Sequence, residues 1–270
     1  KAWRNDNQLK SGLYVTFKVT NTGGLPNKCL FMTDIQSRIA TIREDVVKTC
    51  LIANRDPGSV NLLAVSKTMG VHAVASAIHT GQEHFGENYL QDARPKVSAF
   101  PEAIWHFVGG IQSNKTRDIA NTFGWVHGIA TEKIARRLSE QREPTLGRLN
   151  CLIQVNFSDE DQKLGVNPDE AIRLAGQIAA FDQISVRGLM TIPAPTNDHS
   201  AQAATFRELR ELKDEIQSRY GLPEFNQLSM GMTNDFVEAI KEGATWIRIG
   251  TAIFGPRNKL PTPSTHTIKG

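Results

Sequence analysis

The chain has 270 residues, 40% hydrophobic and 22% charged, a balance that suits a folded globular protein and excludes a disordered or fibrous one. No apolar run approaches the ~20 residues that a membrane-crossing helix needs. The net charge is +3, yet Lys1, Arg4, Lys10, Lys18 and Lys28 against Asp6 put +4 within residues 1–33, so the remainder carries −1 and has no basic excess to attract nucleic acid.

Residues 1–31 lack a sustained apolar period and any signal-peptide core, and contain Gly23-Gly24. They read as an N-terminal extension, non-native or disordered, with room for one short strand at Leu13–Val19. Met32 then reads as the natural beginning, with Thr33 as a helix N-cap and Gln36 three residues on. Ile35, Ile39, Ile42, Val46 and Cys50 share one face of that first helix. After a Pro57-Gly58 turn, short apolar runs alternate with amphipathic stretches. Strands are expected at Leu62–Ser66, His84–Gly86, Trp105–Val108, Trp125–Gly128, Leu149–Asn156, Val186–Ile192, Gln227–Ser229 and Trp246–Gly250. Helices are expected near 71–80, 88–97, 112–122, 131–142, 168–180, 200–220 and 233–242. Asn167-Pro168-Asp169-Glu170 gives an N-cap, a proline at the first helical position and two acids on the positive end of the helix dipole. Gly81, Gly221 and Gly243 stand where a left-handed residue ends a helix. Phe206, Leu209, Leu212, Ile216 and Tyr220 form a core stripe.

Eight strands alternating with helices imply parallel pairing, and eight is the number that closes into a (β/α)₈ TIM barrel. An open doubly wound sheet usually stops at five or six strands. The expected architecture is one barrel domain over 32–257, its extra N-terminal helix capping or flanking it, and a flexible tail at 258–270. Cys29, Cys50 and Cys151 are widely spaced and form no CxxC pattern, so neither a disulfide framework nor a structural zinc is expected, and the compartment reads as reducing and cytoplasmic.

In such a barrel, chemistry sits at the carboxyl ends of the strands. The first strand delivers Ser66 and Lys67 there. A partly desolvated amine favours its neutral, nucleophilic form and can make a Schiff base, although most lysines after a strand simply reach solvent. The last two strands deliver Ser229, Met230 and Gly231, then Arg248, Ile249, Gly250 and Thr251. Hydroxyls, close-approach glycines and helix N-termini here are the usual barrel phosphate site, and two ordinary βα turns are the plainer alternative. Barrel closure places the eighth strand beside the first, so Lys67 comes near Arg248. An amine, a phosphate cradle and a cation together describe a pyridoxal 5′-phosphate (PLP) site, with the aldehyde on Lys67 and the phosphate on Ser229, Gly231, Gly250 and Thr251.

The segments LLAVSK, FGENYLQ, WHFVGGIQSNK, GLMTIPAP, LSMGMTNDF and RIGTAIFG resemble the YggS/PROSC family of PLP homeostasis proteins, from about Met32 to Arg257. The resemblance implies a single barrel like the N-terminal domain of alanine racemase, with PLP held as an aldimine on Lys67. It also implies that Arg248 faces the pyridine nitrogen, that Ser229, Gly250 and Thr251 hold the phosphate, and that Asn88 and His106 line the pocket. A carboxylate opposite the ring nitrogen keeps it protonated, whereas a permanently charged arginine cannot accept that proton, so the nitrogen stays neutral and strong carbanion stabilisation is disfavoured. Alanine racemase adds a tyrosine from a second domain as second base. Of Tyr14, Tyr89 and Tyr220, only Tyr89 follows a strand end. The expectation is therefore a PLP carrier or buffer without catalytic residues, monomeric, serving the free pool or PLP-dependent apo-enzymes. A PLP-dependent amino-acid racemase using Tyr89, His106 or a water is the alternative, and a Schiff-base aldolase a distant third.

Two departures from the family pattern stand out. Met69 replaces a second lysine found in some members, and Gly110 replaces a proline. Lys163 matches the family's lysine after the fifth strand and could receive PLP transiently. Gly109 to Thr116 nearly fits a P-loop, but Asn114 occupies the second glycine position, so a helix start at Lys115-Thr116 is the better reading. His79, Glu83 and His84 are separated by Gly81 and lack metal-site geometry.

Overall fold

Short apolar runs buried on both faces can satisfy their backbone groups only by pairing with one another. Here they do so in a closed ring. The strands are β1 (Asn61–Val65), β2 (His84–Glu87), β3 (Ile104–Phe107), β4 (Trp125–Ile129), β5 (Leu149–Val155), β6 (Ile184–Thr191), β7 (Gln227–Ser229) and β8 (Trp246–Ile249). They pair in chain order, all parallel, and β8 closes on β1 with Leu62 opposite Ile247 and Leu63 opposite Arg248. The computed structural model describes residues 28–158 and 164–256, so the expected strand at Leu13–Val19, Lys163 and the tail lie outside the described residues.

Around the ring lie α1 (Lys28–Ile52), α2 (Val71–Ile78), α3 (Leu90–Ala99), α4 (Thr116–Thr122), α5 (Glu132–Gln141), α6 (Pro168–Ile178), α7 (His199–Tyr220), α8 (Phe236–Lys241) and α9 (Thr251–Phe254). Helix α1 packs on α2, α8 and α9. It therefore flanks the barrel, buried along Ile35, Ile39, Ile42, Val46 and Cys50 as its periodicity predicts. Its start corrects one expectation. The helix runs back to Lys28, so Thr33 lies inside it and does not cap it. Nothing between Lys28 and Thr33 is a glycine or proline, and an unbroken run propagates past a residue that could have capped it.

Local chemistry explains most other boundaries. Asn167 Oδ1 accepts from the Glu170 N–H at 2.9 Å and Glu170 returns the bond to Asn167 N, completing the capping box before α6. Gly81, Gly221 and Gly243 have φ of +75°, +60° and +104°, the left-handed geometry expected after a helix. Helix α8 starts three residues later than its pattern suggests, because the Asp235 carboxylate accepts from the Met232 N–H at 2.5 Å and holds a turn. In α7, Phe206, Leu209, Leu212 and Ile216 are buried, each contributing about 1.5–3 kcal/mol. Tyr220 departs from that stripe at 37% exposure, its ring lying over Gly176, where a Cβ would come within 2.6 Å.

Candidate functional site

Strand β1 ends immediately before Ser66 and Lys67. Ser66 is buried, and its hydroxyl donates to Glu87 Oε1 at 2.5 Å. The buried Lys96 Nζ, from α3, donates to the Ser66 carbonyl at 2.8 Å and to Glu87 Oε1 at 2.7 Å. The peptide that carries Lys67 is thus pinned by an ammonium and a carboxylate from two neighbouring elements. Burial pushes the Glu87 carboxyl above its ordinary range, and the bonds from Lys96 and Ser66 pull it back. Lys67 itself is half-buried in the turn that follows. The next residue, Thr68, has φ +67°. A β-branched side chain enters that region only at a cost of ~1–2 kcal/mol, and such strain concentrates at functional sites.

Beside this turn, the end of β2 holds two buried acceptors with no partner among the described residues, Glu87 Oε2 and Asn88 Oδ1. Unsatisfied buried acceptors are rare and await a donor. The chain after β3 passes so close that a Cβ on Gly109 would lie 2.3 Å from the Asn88 carbonyl.

On the other side of β1, Arg248 is 5% exposed in β8. Its Nη1 donates to Ser229 Oγ at 2.8 Å and its Nη2 to the Thr191 carbonyl at 2.8 Å. Burial lowers its pKa to about 10, opposed by the charge of Asp235, so it stays cationic at neutral pH. Gly231, after β7, has φ +92°, and a Cβ there would meet Ala239 Cβ at 2.6 Å. That position admits only glycine, and it lets the loop fold under α8. Gly250 approaches the Val65 carbonyl, 3.3 Å from a hypothetical Cβ, and leads into α9, whose first residue Thr251 is exposed.

Barrel closure therefore brings Lys67, Asn88, Gly231, Arg248, Gly250 and Thr251 together at the carboxyl ends of β1, β2, β7 and β8. Two expected site residues sit differently. The Ser229 hydroxyl is fully buried between Arg248 and His127 Nδ1, the latter at 2.9 Å. His106 is fully buried inside the barrel, its Nε2 3.0 Å from His84 Nδ1 and its Nδ1 3.0 Å from His127 Nε2. Burial pushes both His106 and His127 well below the ordinary histidine pKa, so both are neutral. His84, His127, Glu87, Lys96 and Thr191 were not singled out for this site. The available signal was one histidine on each of three successive strands.

The P-loop-like segment has an ordinary explanation. Thr116 is buried at the start of α4, its Oγ1 donating to Gln141 Oε1 at 2.7 Å. Among the described residues no cluster of His, Cys, Asp or Glu could hold a metal, and no helix is long and apolar enough to cross a membrane.

The assembled groups fit an aromatic aldehyde phosphate such as PLP. They supply a tethered amine, a buried guanidinium, orphaned acceptors at the end of the neighbouring strand, and two loops where a Cβ would crowd its surroundings. The family described as alanine racemase, N-terminal domain, matches residues 49–258. A pyridoxal phosphate homeostasis protein of Pseudomonas aeruginosa is 47% identical over 229 residues, covering 84% of this chain and 97% of that protein. The protein of the same name from Escherichia coli K12 is 41% identical over 232 residues, covering 84% and 98%. PipY of Synechococcus elongatus PCC7942, solved with PLP bound, superposes with a TM-score of 0.73 at 32% identity, covering 82% of this chain and all of that one. Alanine racemase from Corynebacterium glutamicum, at 15% identity and a TM-score of 0.65, shares the fold over 84% of this chain and 62% of its own. The chain belongs to the YggS/PROSC family of pyridoxal phosphate homeostasis proteins, within the larger group built on the alanine racemase N-terminal domain.

Proposed function

We propose that this protein holds PLP through the Lys67 amine and serves PLP homeostasis, sequestering the reactive aldehyde and passing it to the free pool or to apo-enzymes. The observation that carries the reading is Lys67 itself: a half-buried lysine on a pinned peptide, followed by the strained Thr68, at the end of the strand that pairs with the one carrying Arg248. When bound, PLP supplies an aldehyde that condenses with an amine and a phosphate that needs anion-binding N–H groups. Lys67 provides the amine. Backbone N–H groups at Gly231, Gly250 and Thr251 would hold the phosphate, at the loop after β7 and the start of α9. Arg248 donates towards the ring nitrogen, and Ser229 orients Arg248 from beneath as well as bordering the phosphate loop. Asn88 Oδ1 accepts from a donor of the ligand. The names of the relatives and the bound PLP in PipY support this reading. A monomer working in the cytoplasm, with one barrel domain over 32–257, completes it.

Among the described residues, the two side chains considered as a second base for a racemase are poorly suited to it. Tyr89 is 63% exposed at the start of α3, and both ring nitrogens of His106 are already hydrogen-bonded. The test compares α-proton exchange of amino acids with deuterated solvent in the presence of PLP-loaded protein and of free PLP. A carrier gives no stereospecific exchange beyond free PLP and restores activity to a PLP-requiring apo-enzyme. Stereospecific, protein-dependent exchange that saturates with amino acid overturns the carrier reading.

A further inference from the structure

Five side chains inside the barrel are hydrogen-bonded end to end, and the carrier reading above leaves its three histidines, His84, His106 and His127, without a role. His84 Nδ1 meets His106 Nε2 at 3.0 Å, His106 Nδ1 meets His127 Nε2 at 3.0 Å, and His127 Nδ1 meets Ser229 Oγ at 2.9 Å. Ser229 Oγ meets Arg248 Nη1 at 2.8 Å. The column starts at the first residue of β2, where His84 lines a groove of about 430 Å³ at the amino ends of the strands, and it ends at Arg248. Trp125 stacks on His106 at 5.5 Å and 7°, and Trp246 meets both His84 and His106 edge-on or tilted at 4.8 and 4.9 Å.

The column has a fixed polarity. A guanidinium can only donate, so Ser229 Oγ must accept from Arg248. With Ser229 fully buried, donation to His127 Nδ1 is the direction that leaves its hydroxyl proton satisfied, which makes His127 an Nε2–H tautomer. His127 therefore donates to His106 Nδ1, His106 donates to His84 Nδ1, and His84 keeps its Nε2–H for the groove. Every lone pair in the series faces Arg248 and every proton points away. The hydrogen bonds of Arg248 go to two neutral oxygens, Ser229 Oγ and the Thr191 carbonyl, with the Asp235 carboxylate its charged neighbour. A chain of aligned donors polarises itself cooperatively, so its terminal oxygen is a better acceptor than an isolated hydroxyl.

We propose that His84, His106, His127 and Ser229 form one polarised column whose role is to orient Arg248 and keep it a charged, fixed donor to the ring nitrogen of the cofactor. These are positioning residues, and their role towards PLP rests on the carrier reading above. The tautomers do not.

Two measurements separate the layers. In PLP-free protein, ¹⁵N-resolved NMR of the imidazoles is expected to show His84, His106 and His127 all neutral, with Nε2 protonated and Nδ1 bare at pH 7.5. A protonated Nδ1 on His127 or His106 overturns the polarity and the proposal with it. In loaded protein, His127→Leu is expected to weaken PLP binding about tenfold and to shift the visible band, the effect of one lost charge-assisted contact. His127→Gln, whose carbonyl can accept from Ser229 while its amide donates to His106, is expected to recover most of both. Equal affinity and an identical band in folded wild type, His127→Leu and His127→Gln reduce the column to packing. Wild-type protein that takes up no PLP overturns the carrier reading, and with it the role given to the column, whatever the tautomers.

Discussion

The two ends of this barrel are built by opposite rules. At the amino ends of the strands, long side chains close off helix and loop carbonyls. Arg142 donates to the carbonyls of Phe123, Leu146 and Gly147 at 2.8, 3.0 and 2.9 Å and also to that of Ala120. Arg55 reaches the carbonyls of Ile240 and Ala244 at 2.5 and 2.8 Å, and Gln82 those of Leu62 and His84 at 2.7 and 2.8 Å. At the carboxyl ends, by contrast, Glu87 Oε2 and Asn88 Oδ1 are buried without partners and Thr68 sits in a strained backbone region. The floor satisfies most of its polar groups, Arg187 Nε being a buried exception among the described residues, and supplies stability. The mouth leaves some unsatisfied, at a stability cost that a ligand can recover.

That contrast can be broken by substitution. The largest expected effect is at Lys96. Lys96→Met leaves the Glu87 carboxylate buried without its cation, and unfolding by denaturant should show a loss of about 3–5 kcal/mol. The double variant with Glu87→Gln should recover a substantial part. A single-variant loss under 1 kcal/mol would mean that water already reaches this pair. On the floor, Arg142→Met strands four backbone carbonyls and should cost about 3 kcal/mol, yet leave the PLP dissociation constant of the folded protein unchanged. A large change in PLP affinity there would erase the division between the ends.

A pH series probes the layer between them. Burial holds the folded pKa values of His106 and His127 well below the ordinary histidine value, so they bind protons more readily when unfolded. Their contribution is fully present above pH ~6.5 and is lost as pH falls below it, by up to about 1.4 kcal/mol per pH unit for each group. Glu87, whose folded pKa is raised from 4.5, acts in the opposite sense just above that value and softens the decline. Denaturant midpoints should fall between pH 7 and pH 5, and less steeply in His127→Gln. A flat profile would place water or a counter-ion beside these imidazoles. The smallest effect has the opposite sign. Thr68→Gly relieves the left-handed strain and should raise stability by about 0.5–1 kcal/mol while weakening PLP binding. Stability gained with no loss of affinity would separate the strain from the site.

Residue pattern alone reached the barrel, because eight short apolar runs alternate with amphipathic stretches and Gly81, Gly221, Gly243 and the Asn167 box punctuate them. Lys67, Gly231 and Arg248 were legible for a related reason: each ends a strand and carries chemistry a turn does not need. The column was not legible. Each of His84, His106 and His127 is a lone histidine on an apolar strand, and only the register between β2, β3 and β4 lines them up. Lys96 looks like any solvated helix lysine until α3 lays it across Ser66 and Glu87. Ser229 was expected among the phosphate ligands, and nothing in its neighbours announced that Arg248 and His127 would share its hydroxyl.

The central claim is that one amine, Lys67, carries the cofactor. Borohydride reduction of PLP-loaded protein followed by peptide mass mapping tests it directly. The account predicts a single phosphopyridoxyl adduct on Lys67 and loss of the visible band in Lys67→Ala. An adduct on another lysine in the wild type, or an unchanged band in Lys67→Ala, would contradict it.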